Sequence, residues 1–267
     1  MSRIDKAIEK ATALRGVVKE PRISETHPAN EQVCDANLLL NCTPLAVNNP
    51  SIVCASADAH PAAEEYRKLK SVILQLTSGE ELRNTLLVTS ALSGEGKSVT
   101  AVNLACALAR DYDHTVLLVD TDLRRPTVHK YLNFEPDVGL IQCLKSNLPL
   151  EEALIKTGLG KLVVLPAGGV ADDPNELLAS DQMKALVNEM KNRYADRYVV
   201  FDTPPALLFA DAQALSEHVD SVLFVVREGV SRPSQIKSAL DCLRGSALLG
   251  VVYNDALQVD REGYIYY

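Results

Sequence analysis

What the chain lacks narrows its function before any motif is read. Its six cysteines (Cys34, Cys42, Cys54, Cys106, Cys143, Cys242) form no Cys-x-x-Cys pair and no Cys/His ligand spacing. That scatter suggests neither a zinc site nor a disulfide framework, and reduced thiols in a reducing compartment are expected. No apolar run approaches the roughly 18 residues of a membrane-spanning helix, and the opening MSRIDKAIEKATAL carries charges throughout. A basic stripe is also missing: 27 Lys and Arg stand against 35 Asp and Glu, for a formal net charge of −8. Nucleic-acid binding through phosphate neutralisation is therefore not expected. Neither an internal repeat nor a low-complexity tract is evident. The expected location is cytoplasmic, peripheral to the inner membrane only through a partner.

What is present is an ordinary globular balance, 47% hydrophobic and 23% charged, in 267 residues, enough for one sizeable α/β domain with an appendage. Residues 1–19 read as a short amphipathic helix: Ser2 and Asp5 resemble a capping box, and Ile4, Ala7, Ile8, Ala11 and Leu14 recur at helical spacing. That stripe can dock on a partner or on the protein's own body. Residues 20–60, punctuated by Pro21, Pro28, Pro44 and Pro50, show no sustained period and read as a flexible linker. From residue 61 to 254 the pattern alternates. Apolar runs TLLVTS, TVLLVD, LVVLPA, YVVFD, SVLFVV and LLGVVYN are separated in several places by helical stretches such as SDQMKALVNEMKNRYA. Runs that are hydrophobic throughout suit strands buried on both faces. The expected fold is an α/β three-layer sandwich with a mostly parallel central sheet, followed by a tail over residues 255–267.

The stretch SALSGEGKSV, Ser90 to Val99, sits between a predicted strand and a predicted helix. It fits the P-loop pattern G-x-x-x-x-G-K-[ST], with Ala91 at the first glycine and Gly96, Lys97 and Ser98 in place. Backbone N–H groups over Ser93, Gly94, Glu95, Gly96, Lys97, Ser98 and Val99 would cradle phosphates at a helix N-terminus. Lys97 would reach the β- and γ-phosphates and the Ser98 hydroxyl would hold Mg²⁺. VVFDTPP ends a buried strand with Asp202, a carboxylate that is costly there unless it meets a cation or strong donors. VLLVDTDLRRP ends another with Asp120 and Asp122, followed by Arg124 and Arg125. Either acid can take a proton from an attacking hydroxyl; for Asp122 a surface network with the arginines is the competing reading. Asn254, at a strand end, reads either as an adenine contact or as a turn residue.

These three motifs, in this order and spacing, resemble the Walker A, A′ and B motifs of the bacterial tyrosine kinases (BY-kinases), from about residue 64 to 254. The opening MSRIDKAIEKA is similar to the branch associated with exopolysaccharide and exosortase loci. Partition and division-site ATPases of the same superfamily carry an extra lysine five residues before the invariant one, where this chain has Leu92. The resemblance implies an ATP- and Mg²⁺-dependent protein-tyrosine autokinase with Lys97, Asp120, Asp122 and Asp202 as catalytic residues and Ser98, Asp120 and Asp202 around the metal. The implied acceptor is a C-terminal tyrosine cluster on a neighbouring subunit. Of nine tyrosines, Tyr264, Tyr266 and Tyr267 crowd the last four positions. They either enter a neighbour's site or simply pack on a surface. The family's Glu-x-x-Arg-x-x-Arg assembly face falls on Glu64, Arg67 and Lys70, with lysine replacing the last arginine; the resemblance implies a homo-oligomer, of which a ring is one form. A transmembrane activator of the polysaccharide chain-length regulator type is the implied partner. The rival function is a regulatory P-loop ATPase that docks on a membrane polysaccharide co-polymerase without phosphorylating tyrosine.

Overall fold

The computed structural model describes residues 43–55, 60–79, 83–193 and 196–256. The expected N-terminal helix and the tyrosines at 264, 266 and 267 lie outside the described residues. In chain order the elements are α1 (Pro61–Thr77), β1 (Thr85–Ser90), α2 (Lys97–Ala109), β2 (Thr115–Asp120), α3 (Val128–Leu132), α4 (Leu140–Ser146) and α5 (Leu150–Ala153). They continue with β3 (Ile155–Lys156), β4 (Leu162–Leu165), α6 (Pro174–Leu178), α7 (Asp181–Asn192), β5 (Arg197–Asp202), α8 (Asp211–Ser216), β6 (Ser221–Arg227), α9 (Pro233–Cys242) and β7 (Leu248–Asn254).

The strands form one seven-stranded sheet in the order β3-β4-β2-β5-β1-β6-β7. All pairings are parallel except β3 with β4. Every residue of β1, β2, β4 and β5 is buried, which is why these strands read as unbroken apolar runs rather than as alternations. The pleat sends successive side chains to opposite faces. Leu87, Leu117, Val119, Val199 and Phe201 enter the core under α4 to α9, whereas Leu86, Val88, Val116, Leu118 and Val200 enter the core under α1 and α2. The outcome is the expected three-layer α/β sandwich.

Helix α2 is buried at every position from Thr100 to Ala109, because the sheet lies under it and α1 lies over it. Its many alanines follow from that position, since a helix enclosed on two sides needs small residues to fit. The two outer strands are less covered: β3 has no buried residue, and Leu248, Val251 and Tyr253 are exposed on β7.

Residues 43–55 fall inside the expected flexible linker, yet they pack on the domain. Ile52 and Cys54 are buried against α2, and Leu45 N–H donates to the Thr157 carbonyl at 2.8 Å. Asn103, wholly buried on α2, anchors this strap: its Oδ1 accepts from Cys54 N–H (2.9 Å) and its Nδ2 donates to the Ser51 carbonyl (2.8 Å). The partner is about fifty residues away in sequence, so composition alone reads the strap as loose chain. Asn103→Ala leaves the buried Cys54 N–H without its acceptor and frees the Ser51 carbonyl, and is expected to cost about 2 kcal/mol. A lowered urea midpoint with an unchanged slope, together with faster proteolysis between residues 43 and 55, checks it.

Candidate functional site

Strands β1, β2 and β5 end at one edge of the sheet, the edge at which open α/β folds bind their ligands. The loop from Ala91 to Gly96 carries the chain from β1 into α2. Gly94 and Gly96 both have positive φ, 84° and 90°. At Gly96 a Cβ would also lie 2.1 Å from Asn254 Nδ2, so any side chain there would displace Asn254. Glu95, buried within the loop, accepts the Leu92 N–H at 2.6 Å and so braces the turn from inside.

The far end of the sheet grips the loop as well. Asn254 Nδ2 donates to the Glu95 carbonyl at 2.9 Å, and Arg227 Nη1 donates to the Gly94 carbonyl at 3.3 Å. Arg227 also pairs with Asp255 through Nε (2.9 Å) and Nη2 (2.6 Å). The Asn254 amide expected either to read adenine or to mark a turn is thus engaged with the loop backbone. Arg227 was not singled out in the sequence; its signal was a charge ending the apolar run SVLFVV.

Lys97 opens α2 and turns inward. Its Nζ lies 3.0 Å from Ser98 Oγ, 3.2 Å from Asp122 Oδ2 and 3.9 Å from Asp202 Oδ1. Burial works to lower the Lys97 pKa, but the charges of Asp202, Asp122 and Asp120 outweigh it and raise the pKa above the ordinary lysine value. The lysine is therefore fully charged across the physiological range.

The three acids differ in their surroundings. Asp120 and Asp202 are opposite each other on neighbouring strands and both are wholly buried. Asp120 organises the turn that follows β2: Oδ1 accepts from Asp122 N–H (3.2 Å), and Oδ2 accepts from the N–H groups of Thr127 and Val128 (3.0 Å each). Burial and then the charge of Asp202 push its carboxyl above the usual range. Asp202 has no hydrogen-bond partner on either carboxylate oxygen. Burial drives its pKa upward too, and the nearby Lys97 charge and the neighbouring Ser98 hydroxyl offset this only in part. Asp122 is the acid at the mouth, with Oδ2 on Lys97 and Oδ1 accepting from Arg125 N–H at 3.0 Å. The arginine network weighed for Asp122 does not form with Arg124, which instead pairs with Asp211 (2.7 and 3.0 Å) and lies over the Phe209 ring at 4.4 Å.

These groups fit a magnesium nucleotide. A hydroxyl and carboxylates are the oxygen donors a hard cation prefers, and Asp202 is a buried anion whose two oxygens lack partners. Among the described residues no group of three or more His, Cys, Asp or Glu is placed to hold a metal ion by itself. The face expected for assembly is less uniform. Glu64 and Arg67 form an ion pair with each other and are about half exposed, whereas Lys70 reaches back to Asp111 of its own chain at 3.2 Å.

A family model described as an AAA domain matches residues 85–231. The curated "Tyrosine-protein kinase YwqD" of Bacillus subtilis (strain 168) is 37% identical over 207 residues, 77% of this chain and 86% of that one. The solved kinase domain of Escherichia coli tyrosine kinase ETK is 29% identical, with a TM-score of 0.70 and 84% of each chain covered. A longer relative, the "Succinoglycan biosynthesis transport protein ExoP" of Rhizobium meliloti (strain 1021), is 34% identical over 72% of this chain but only 25% of its own length.

Proposed function

The chain belongs to the bacterial tyrosine-protein kinases, a P-loop family, and from that premise we propose an autokinase that passes the γ-phosphate of Mg-ATP to Tyr264, Tyr266 or Tyr267 of a neighbouring copy. The observation that carries this reading is Lys97 at the head of α2, set between Ser98 and Asp122 with Asp202 behind it. Phosphoryl transfer asks the protein mainly for positioning and charge neutralisation. The loop N–H groups from Gly94 to Ser98 would orient the phosphates, and Lys97 would offset charge on the oxygens of the transferred group. Ser98 and Asp202 would hold Mg²⁺, with Asp120 behind them; the cation, when bound, neutralises charge on the β- and γ-phosphate oxygens. A phenol is mostly protonated at neutral pH, so the acceptor needs a base. We assign that role to Asp122, because Asp120 is enclosed and commits both oxygens to the backbone of its turn.

Assembly would use Glu64 and Arg67, with Lys70 retained by Asp111. A relative named as a transport protein of succinoglycan biosynthesis supports a role in exopolysaccharide synthesis or export. No helix among the described residues is long and apolar enough to cross a membrane. Attachment to the membrane would then run through a separate activator of the chain-length regulator type, for which residues 1–19 are the proposed docking element.

The test is to incubate the full chain with γ-labelled ATP and Mg²⁺ and map the label. Incorporation is expected on the three terminal tyrosines, and replacing all three by phenylalanine should remove it while nucleotide still binds. Phosphate release with no labelled tyrosine would return the protein to the ATPase reading. Mixing a Lys97→Met chain that bears the tail with an active chain lacking residues 257–267 should label the former; its failure to do so would place transfer within one chain.

A further inference from the structure

A cavity of ≈ 650 Å³ opens on the outer side of the turn after β2, lined by Arg125, Lys130, Gly168, Gly169 and Val170 among others. We propose that it is an acceptor-docking subsite for an acidic, aromatic peptide, and that its occupant is the tail of a second copy: Asp260 and Glu262 on the cations, Ile265 on Val170. The inference rests on the autokinase reading and adds to it the surface that selects the tyrosine.

Position is the first support. Arg125 N–H binds Asp122 Oδ1, and Asp122 Oδ2 binds Lys97, so the cavity rim and the phosphate-binding lysine are two sides of one carboxylate. A peptide lodged in the cavity would present its next residues to that carboxylate. Availability of charge is the second. Arg124, with its guanidinium fixed by Asp211 and Phe209, forms a stationary wall. Arg125 and Lys130 are exposed and form no ion pair among the described residues, while Glu135 is the single carboxylate in the lining. Shape is the third. At Gly169 (φ 127°) a Cβ would meet nothing within 4 Å, so this stretch of the lining is bare backbone along which an extended strand can run. Val170 beside it is 68% exposed, an apolar side chain without cover.

The tail complements these features. In VDREGYIYY the acids at 260 and 262 share the parity of Tyr264, so an extended chain shows all three on one face, with Arg261 and Ile265 on the other. Tyr264 follows Glu262 by two residues, about 7 Å along a strand, which makes it the first acceptor. A chain's own tail departs from the far side of the loop: β7 lies four strands from β2, roughly 19 Å at ordinary spacing, with the P-loop between them. A tail from a second copy meets no such obstacle.

The experiment uses the enzyme lacking residues 257–267 and the full-length Lys97→Met chain as acceptor. Arg125→Glu and Lys130→Glu in the enzyme should each raise the acceptor KM roughly tenfold, leaving kcat and the ATP KM within about twofold. Reversing the acceptor's acids, Asp260→Lys with Glu262→Lys, should raise the KM for the unaltered enzyme and restore it for the reversed one. An acceptor KM indifferent to these reversals, or a paired reversal without rescue, overturns the subsite. Binding of a synthetic peptide of residues 257–267, followed by fluorescence anisotropy, separates this idea from the autokinase reading. Peptide held by the unaltered chain and lost on the double reversal supports the subsite even if no tyrosine is labelled, and equal binding to both overturns it. Labelling confined to unmixed active chain would overturn the second copy as occupant.

Discussion

Lys97→Met is expected to lose phosphotransfer by about 10³-fold or more, the scale seen when a preorganised charge is removed from a transition state. The loss should fall mainly on kcat, since loop N–H groups still hold the nucleotide. Lys97→Arg should be nearly as inactive, because a planar guanidinium cannot replace a compact ammonium packed among Ser98, Asp122 and Asp202. Stability should move as well. Lys97 has a raised pKa, so its contribution is complete below the ordinary lysine value and is lost only as pH climbs through the higher folded value, far above neutrality. Methionine leaves the acids without their cation, at a cost of about 3 kcal/mol at pH 8. The cost should shrink toward pH 5 as Asp120 and Asp202, whose carboxyls are raised by burial, take up protons. Label incorporation and denaturant melts at the two pH values measure both effects.

Asp202→Asn is expected to move activity and stability in opposite directions. Catalysis should fall by about 10²-fold or more with the loss of a metal-facing carboxylate. In the absence of nucleotide the variant should be the more stable protein, because a buried anion without hydrogen bonds is replaced by a neutral group. The sign follows from the raised pKa. The folded state binds the proton more tightly than the unfolded chain, so wild-type stability declines as pH rises from the unfolded carboxylate value through the folded one. The gain on substitution should thus be slight at pH 5 and larger at pH 8, about 1–2 kcal/mol, a few degrees in Tm for a domain of this size. Saturating Mg-ATP should reverse the order of the two proteins, since only the wild type keeps the full metal site. A Tm for the variant below wild type at every pH would show that Asp202 is structurally satisfied and remove the argument for a cation beside it.

The sequence was most informative where burial is complete. β1, β2 and β5 could be read because both faces are covered, and their terminal acids stood out because a carboxylate closing such a run has few structural uses. The P-loop was legible from its Gly-Lys-Ser spacing together with the apolar run before it and the helical pattern after it. Helices α3, α5 and α6 were not, since four or five residues are too few to show a 3.6-residue period. Long-range pairings were equally silent. Nothing local connects Asn103 to Ser51 and Cys54, Lys70 to Asp111, or Asn254 to the Glu95 carbonyl, and each partner changed how its residue is understood. Arg227 and Asp211 were missed for the same reason: an isolated charge acquires meaning only from what the fold sets opposite it.

One junction has a mechanical consequence. Asn254 and Asp255, where β7 gives way to the tail, are bonded directly or through Arg227 to the carbonyls of Glu95 and Gly94. No slack separates the root of the tail from the ring of amides around the phosphates. A pull exerted on the chain end by a neighbouring molecule would therefore load the puller's supplier at its own nucleotide cradle, as a cord tied to the rim of a bowl tips the bowl.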